Sequence, residues 1–220
     1  MKYEKNSIYN LDSYKVIKEL PDNFIDVIIT DPPYGIGIDF QKENKKAKNN
    51  KHFRKEHIKQ DWDSSIPPKW FFEEMKRVSK NMIVFGVNYM NEFLEQGHKG
   101  WIVWDKGQKG LTMSDCELIY TNFDKPTRII TVNRYYLKQD MTTHPTQKPL
   151  KLMLEIVENY TKKDDLIVDF FSGSGSTLEA CQIKGRKYIG FEKNKKYYEN
   201  AVDRLNGIRP NGQIGIFTNI

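Results

Sequence analysis

The sequence predicts an α/β fold, with a mostly parallel, twisted sheet and helices on both faces. Three observations predict it. Short apolar runs, such as Phe24–Thr30 and Leu166–Asp169, have the length and composition of buried strands. Segments with apolar residues at helical spacing alternate with them, and a β-α-β order implies a parallel pair with a right-handed crossover. Two of the runs end in a carboxylate and a turn, at Asp31-Pro32-Pro33-Tyr34 and at Asp169-Phe170-Phe171-Ser172-Gly173-Ser174-Gly175. Open α/β sheets bind ligands at that end of their strands.

Taken in order, Ser7–Asn10 reads as a strand with Leu11-Asp12 at its end. Ser13–Leu20 places Tyr14, Ile17 and Leu20 on one helical face, and Pro21-Asp22-Asn23 stops it. The strand Phe24–Thr30 follows. Pro67-Pro68 starts a helix marked by Trp70, Phe71, Met75 and Val78. Met82–Phe85 is a strand ending at Gly86-Val87-Asn88, and Met90 to about Gly97 reads as a helix. Trp101–Trp104, Glu117–Tyr120 and Arg128–Asn133 read as strands, the last two expected to join through Asn122–Thr127 as a hairpin. Pro149 belongs to the first turn of a helix whose stripe is Leu152, Met153, Ile156, Val157 and Tyr160. The glycine turn after Asp169 leads into a helix through Leu178, Ala180, Cys181 and Ile183. The strand Tyr188–Phe191 then ends in Glu192. Asn194 is the expected N-cap of a final helix carrying Tyr197, Tyr198, Ala201, Val202 and Leu205.

The 220 residues suit a single domain, 1–220. Hydrophobic residues reach 38% despite a mean hydropathy of −0.69, so the chain is globular rather than disordered. A net charge of +6 favours an anionic partner. Cys116 and Cys181 form no redox or metal pattern, and His52, His57, His98 and His144 share no ligand spacing, so no metal is expected. No apolar run is long enough to cross a bilayer and no signal peptide is visible, so a cytoplasmic protein is expected. Between Asp39 and Asp61, Lys42, Lys45, Lys46, Lys48, Lys51, Arg54, Lys55 and Lys59 face only Glu43 and Glu56 as acids. Such a stretch is ordinarily a solvated insertion. This one leaves directly from the Asp31 turn, where a basic loop would meet nucleic-acid phosphates. Arg134, among Tyr135, Tyr136 and Lys138, suits nucleic acid as well as any strand face.

The two turns carry the chemistry. Asp31 can accept hydrogen bonds from an amino group. Pro32 and Pro33 stiffen the turn and leave carbonyls as acceptors, and Tyr34 offers a flat face to a base. In the second turn the glycines allow close approach of backbone to ligand. Glu192, seventeen residues past Gly175, is placed to accept ribose hydroxyls. A dinucleotide fingerprint lacks its third glycine, since Leu178 stands there, and a P-loop lacks its lysine. Asp169 would repel a pyrophosphate but hold an ammonium. S-adenosylmethionine (SAM), with an ammonium, a sulfonium and no phosphate, fits better.

With these residues the chain resembles the SAM-dependent amino-methyltransferases of DNA, which make N6-methyladenine or N4-methylcytosine. Asp31-Pro32-Pro33-Tyr34 is similar to their catalytic motif, the Asp169–Gly175 segment to their SAM motif, and Thr146-Gln147-Lys148-Pro149 to their T-x-K-P segment. The catalytic motif comes first and the SAM motif last, the permuted order of the β class. The resemblance spans Ser7 to Leu205 and implies a Rossmann-like methyltransferase fold. Phe170 departs from the usual proline. Only 121–143 is left for the target-recognition region that larger members carry.

The resemblance implies catalytic roles for Asp31, Pro32, Pro33 and Tyr34 on a flipped-out base. It implies SAM contacts for Asp12 (adenine), Glu192 (ribose), Asp169 (ammonium), and Phe171, Gly173, Gly175, Thr146 and Lys148 (methionine end). Duplex DNA is the expected partner, contacted by the basic residues above, and a homodimer is common in the class. Asp at the first position of the tetrapeptide favours adenine. A cytosine-N4 enzyme, an RNA adenine methyltransferase, a catalytically silent nucleic-acid binder and a dehydrogenase are the alternatives.

Overall fold

The computed structural model describes residues 2–37, 63, 65–90, 93, 99–110, 114–133, 136 and 147–208. The basic stretch with Lys42, Lys45, Lys46, Lys48, Lys51, Arg54, Lys55 and Lys59 lies outside the described residues. So do Arg134, Thr146 and most of the helix expected over 90–97.

The elements follow the expected order. Strand β1 (Ser7–Tyr9) leads to α1 (Ser13–Val16), which tightens into a 3-10 turn over Ile17–Glu19. Then come β2 (Ile25–Thr30), α2 (Lys69–Val78), β3 (Ser79–Phe85), β4 (Trp101–Asp105), β5 (Cys116–Thr121) and β6 (Arg128–Thr131). The last third is α3 (Leu150–Tyr160), β7 (Leu166–Asp169), α4 (Ser176–Ile183), β8 (Lys187–Phe191) and α5 (Lys195–Leu205). Asn194 caps α5 as expected, its side chain accepting from the Lys196 and Tyr197 amides. Pro149 is the N-cap residue of α3 rather than part of its first turn. Val87–Tyr89, just ahead of the expected 90–97 helix, forms a 3-10 turn.

The described strands form one sheet in the order β1-β8-β7-β2-β3-β5-β4-β6. Every pairing from β1 to β3 is parallel. Strand β5 alone is reversed, antiparallel to both β3 and β4. The hairpin expected between the strands at 117–120 and 128–133 does not form. With β3 and β4 occupying both edges of β5, β6 has no free edge there and pairs in parallel with the far side of β4.

Helices cover both faces. On one, Phe71, Phe72, Met75 and Val78 of α2 pack with Val16, Ile17, Ile28 and Val84. On the other, Leu152, Met153, Ile156 and Val157 of α3 and Ala180 and Cys181 of α4 pack with Val27, Ile29, Ile83 and Ile167. Central β2 and β7 are buried on both sides, which is why they read as nearly unbroken apolar runs. Phe170 stacks on Phe191 (centroids 5.9 Å, 15° between planes) and meets Phe71 edge-on. The departure from proline is therefore absorbed as a core aromatic.

Helices α4 and α5 are tied by a buried ion pair, Arg204 Nη1 to Glu179 Oε2 at 2.6 Å, with relative side-chain exposures of 5% and 1%. Arg204→Leu leaves a buried carboxylate without its countercharge and should cost about 3–5 kcal/mol in chemical denaturation. Replacing both partners by leucine should recover most of that loss.

Candidate active site

A parallel sheet gathers its strand ends, and here it gathers acids. Asp12 follows β1, Asp31 follows β2, Asp169 ends β7 and Glu192 follows β8. They line one cavity of about 570 Å3, together with Pro32, Pro33, Tyr34, Lys148, Phe171 and Gly173. All the described residues expected to be catalytic or cofactor-binding are there except Gly175.

Gly175 faces the other way. It starts α4 at φ +78°, and a Cβ there would lie 3.0 Å from Ala201 Cβ. Its lack of a side chain serves α4–α5 packing. The Gly173 amide donates to Glu192 Oε2 at 2.8 Å, and the Asn194 amide donates to Oε1 at 2.7 Å. Burial pushes Glu192 up to about 7 despite these bonds. Asp169 accepts from the Thr30 hydroxyl (2.8 Å) and the Phe171 amide (3.1 Å), and burial pushes it up to about 6. Asp12 caps α1 by accepting from the Tyr14 amide at 3.0 Å, and it pairs with Lys193 at 2.9 Å.

The Asp31 turn is held from several sides. The Tyr34 and Gly35 amides donate to Asp63 Oδ1 at 2.7 and 2.9 Å. Tyr89 stacks on the Tyr34 ring (5.2 Å, 18°). The backbone of Gly86 lies so close that a Cβ there would be 2.1 Å from Tyr34 Cε1. The Tyr34 hydroxyl lies 2.5 Å from Asp31 Oδ1 and 2.8 Å from Glu117 Oε1. Lys148, expected at the methionine end, has its buried ammonium on the catalytic turn, 2.5 Å from Asp31 Oδ2 and 3.2 Å from Glu117 Oε1. Burial works against that charge, but the two carboxylates hold the Lys148 pKa above its ordinary value. Burial, with both carboxylates adding, raises the Tyr34 phenol well above its usual range.

Several residues at this site were not anticipated, among them Tyr89, Asp63, Gly86, Glu117 and Gln147. Asp63 and Gly86 act on Tyr34 through contacts that no local pattern announces. Glu117 carried a signal, an acid in register with buried Ile119 and Thr121 on an otherwise apolar strand. Gln147 sits inside a segment whose neighbours drew the attention. It is 5% exposed, lines the cavity, and neither Nε2 nor Oε1 has a partner among the described residues. Leaving a buried amide unpaired is costly, so its natural complement is a ligand.

The residues present fit SAM. The volume lies in the range of about 300–1,000 Å3 usual for small-molecule sites. The lining is acidic, with Lys148 paired to Asp31 and Lys193 to Asp12, so the site receives a cation. The orphaned amide of Gln147 offers a donor beside an acceptor, matching a carboxylate beside an ammonium.

The chain is similar to known proteins in sequence and in fold. A family model described as DNA methylase, covering N6 and N4 enzymes, matches residues 55–203. The Type II methyltransferase M.HpaI of Haemophilus parainfluenzae is 29% identical over 238 residues, covering 88% of this chain and 72% of that protein. Among solved structures, the M1.HpyAVI–SAM complex superposes with a TM-score of 0.60 at 23% identity, covering 91% of this chain and 98% of that one. The cytosine-N4-specific PvuII DNA methyltransferase superposes with a TM-score of 0.58 at 19% identity, covering 92% and 86%.

Two outcomes are expected here. Gly86→Ala forces a side chain onto the Tyr34 ring at a backbone φ of +65°. It should lower catalytic turnover by about a hundredfold while leaving SAM affinity intact, as measured by calorimetry and single-turnover kinetics. Gln147→Leu removes the orphaned amide. It should raise the ligand-free protein's stability by about 1 kcal/mol and weaken SAM binding by about tenfold.

Proposed function

Because this chain belongs to the N6-adenine/N4-cytosine family of SAM-dependent DNA methyltransferases, we propose that it methylates the exocyclic N6 of adenine in duplex DNA. The observation that carries this reading is the placement of Asp31. A carboxylate, stiffened by two prolines and flanked by a stacking tyrosine, opens into the same cavity as the acidic cofactor residues.

The amino group of a paired base is inaccessible to this cavity, so the base enters flipped out of the helix. Tyr34 stacks on it. Asp31 and the Pro32 carbonyl accept the two amino hydrogens, which draws electron density onto nitrogen and aims its lone pair. SAM, when bound, supplies an electrophilic methyl group on a sulfonium sulfur that keeps the C–S electron pair as the methyl leaves. Around the cofactor, Asp169 faces the ammonium, Glu192 accepts from the ribose and Asp12 from the adenine. Phe171 supplies apolar wall, the Gly173 backbone comes close, and Gln147 pairs with the aminocarboxylate end. The basic residues of 39–61 would hold the DNA backbone. The carboxylate at position 31 favours adenine by its likeness to the adenine enzymes. Cytosine presents the same amino group beside a ring nitrogen, so the base is decided by the product.

The test is methyl transfer from labelled SAM to unmethylated genomic DNA, with total RNA in parallel and nucleosides read by mass spectrometry. N6-methyladenine in DNA is expected. N4-methylcytosine would overturn the base assignment, and label in RNA alone would overturn the substrate. Asp31→Ala should abolish transfer and leave SAM affinity largely intact. Equal loss of both would make Asp31 structural.

A further inference from the structure

Glu117 has no part in the reading above, yet it reaches the catalytic turn. Because β5 runs against its neighbours, its first residues lie level with the carboxyl ends of β3 and β4, with Glu117 opposite Trp104 and Cys116 opposite Asp105.

The hydrogen atoms of this cluster can be counted. The Tyr34 hydroxyl has one proton and two carboxylate oxygens within reach, Asp31 Oδ1 at 2.5 Å and Glu117 Oε1 at 2.8 Å. Asp31 Oδ2 faces the Lys148 ammonium at 2.5 Å, which is donor only. A proton arriving on either oxygen of Asp31 therefore meets a donor, unless the Tyr34 hydroxyl turns away. Glu117 Oε1 gives it somewhere to turn. Glu117 is kept ready for that part. Burial disfavours its charge, but Lys148, and Lys106 at 3.5 Å from Oε2, hold its carboxyl below the ordinary range. Around Asp31 stand Lys148, Tyr34, Glu117 and, from β7, Asp169. Burial lifts the Asp31 carboxyl above the ordinary range, Lys148 opposes the lift, and the Glu117 charge adds to it.

Resting on the amino-methyltransferase reading, we propose that Glu117 is a positioning residue for methyl transfer. It accepts the Tyr34 hydroxyl, and so lets Asp31 take the proton that the target amino group gives up. The step balances. The amino lone pair forms the new N–C bond, and the C–S pair goes to sulfur. The N–H pair stays on nitrogen as its proton passes to Asp31. The Asp31 carboxyl then donates to the Tyr34 oxygen, and the Tyr34 hydroxyl donates to Glu117. The positive charge lost at sulfur is matched by the negative charge lost at Asp31.

The test is a double-mutant cycle on the full chain, using single-turnover transfer to unmethylated genomic DNA. Glu117→Ala should slow transfer by about tenfold or more, and Tyr34→Phe, which removes the hydroxyl that would face the incoming proton, should slow it less, neither changing SAM affinity. The double variant should be no slower than Tyr34→Phe, because both remove one relay. A purely structural Glu117 would give losses that multiply, and that result overturns the proposal. A second readout needs no cofactor. In NMR of carboxyl-labelled aspartate, assigned with Asp31→Asn, the Asp31 signal should titrate at lower pH in Glu117→Gln than in the parent. An unmoved titration also overturns the proposal. If Glu117→Ala misfolds, Glu117→Leu, which fills the space but offers no acceptor, replaces it in the cycle. An active parent with an equally active Glu117→Ala sinks this inference alone. A parent that transfers no methyl to DNA or RNA sinks the amino-methyltransferase reading, and this inference with it.

Discussion

The parallel pairing of β2 with β7 is the constraint on which the site depends. Val27 pairs with Ile167 and Ile28 with Val168, so two strands far apart in the chain end side by side at the centre of the sheet. Their ends are joined directly, the Thr30 hydroxyl donating to Asp169 across 139 positions of sequence. On the proposed reading, one strand delivers the acceptor for a base and the other the acid for a cofactor ammonium. A methyl group moving directly from donor to acceptor needs those two ends within one cavity, and this pairing puts them there.

Gathering acids at one rim has an electrostatic cost, which the protein offsets in two ways. At the cofactor end the carboxylates are held by backbone amides and a hydroxyl, and they remain lifted toward neutral pKa values, Glu192 to about 7 and Asp169 to about 6. That leaves the end short of positive charge and suited to a cationic ligand. At the base end the buried Lys148 ammonium sits between Asp31 and Glu117, and Lys106 pairs with Glu117, so two cations balance two carboxylates without a ligand. The two ends thus differ in kind, one built to receive a charge and the other to rearrange protons.

Much of this was legible before folding was considered. Buried strands announce themselves as apolar runs, and α3 shows its stripe because one face must be buried. The acids after β2 and β8 and at the end of β7 stand out because charge abruptly follows apolar residues. Asn194 was legible as a cap because capping is a local hydrogen bond, satisfied within three residues. Other features depend on distant neighbours. Gly175 looks like a ligand-approach glycine, but Ala201 on another helix occupies the space beside it. The demand for glycine at position 86 comes from the ring of Tyr34, which the chain meets only after crossing the sheet.

The sequence by itself determined the local elements, the order of the motifs and the identity of the acids that end the strands. Those follow from periodicity, turn chemistry and burial, each encoded within a few residues. Tertiary structure alone decided which strands are neighbours and which way they run. The expected hairpin failed on that point, because β5 is claimed on both edges by β3 and β4 and leaves β6 to the far side of β4. Apolar alternation reads the same in either strand direction, so nothing local could show that β5 is reversed. That reversal is what carries Glu117 to the rim, beside Tyr34 and Lys148.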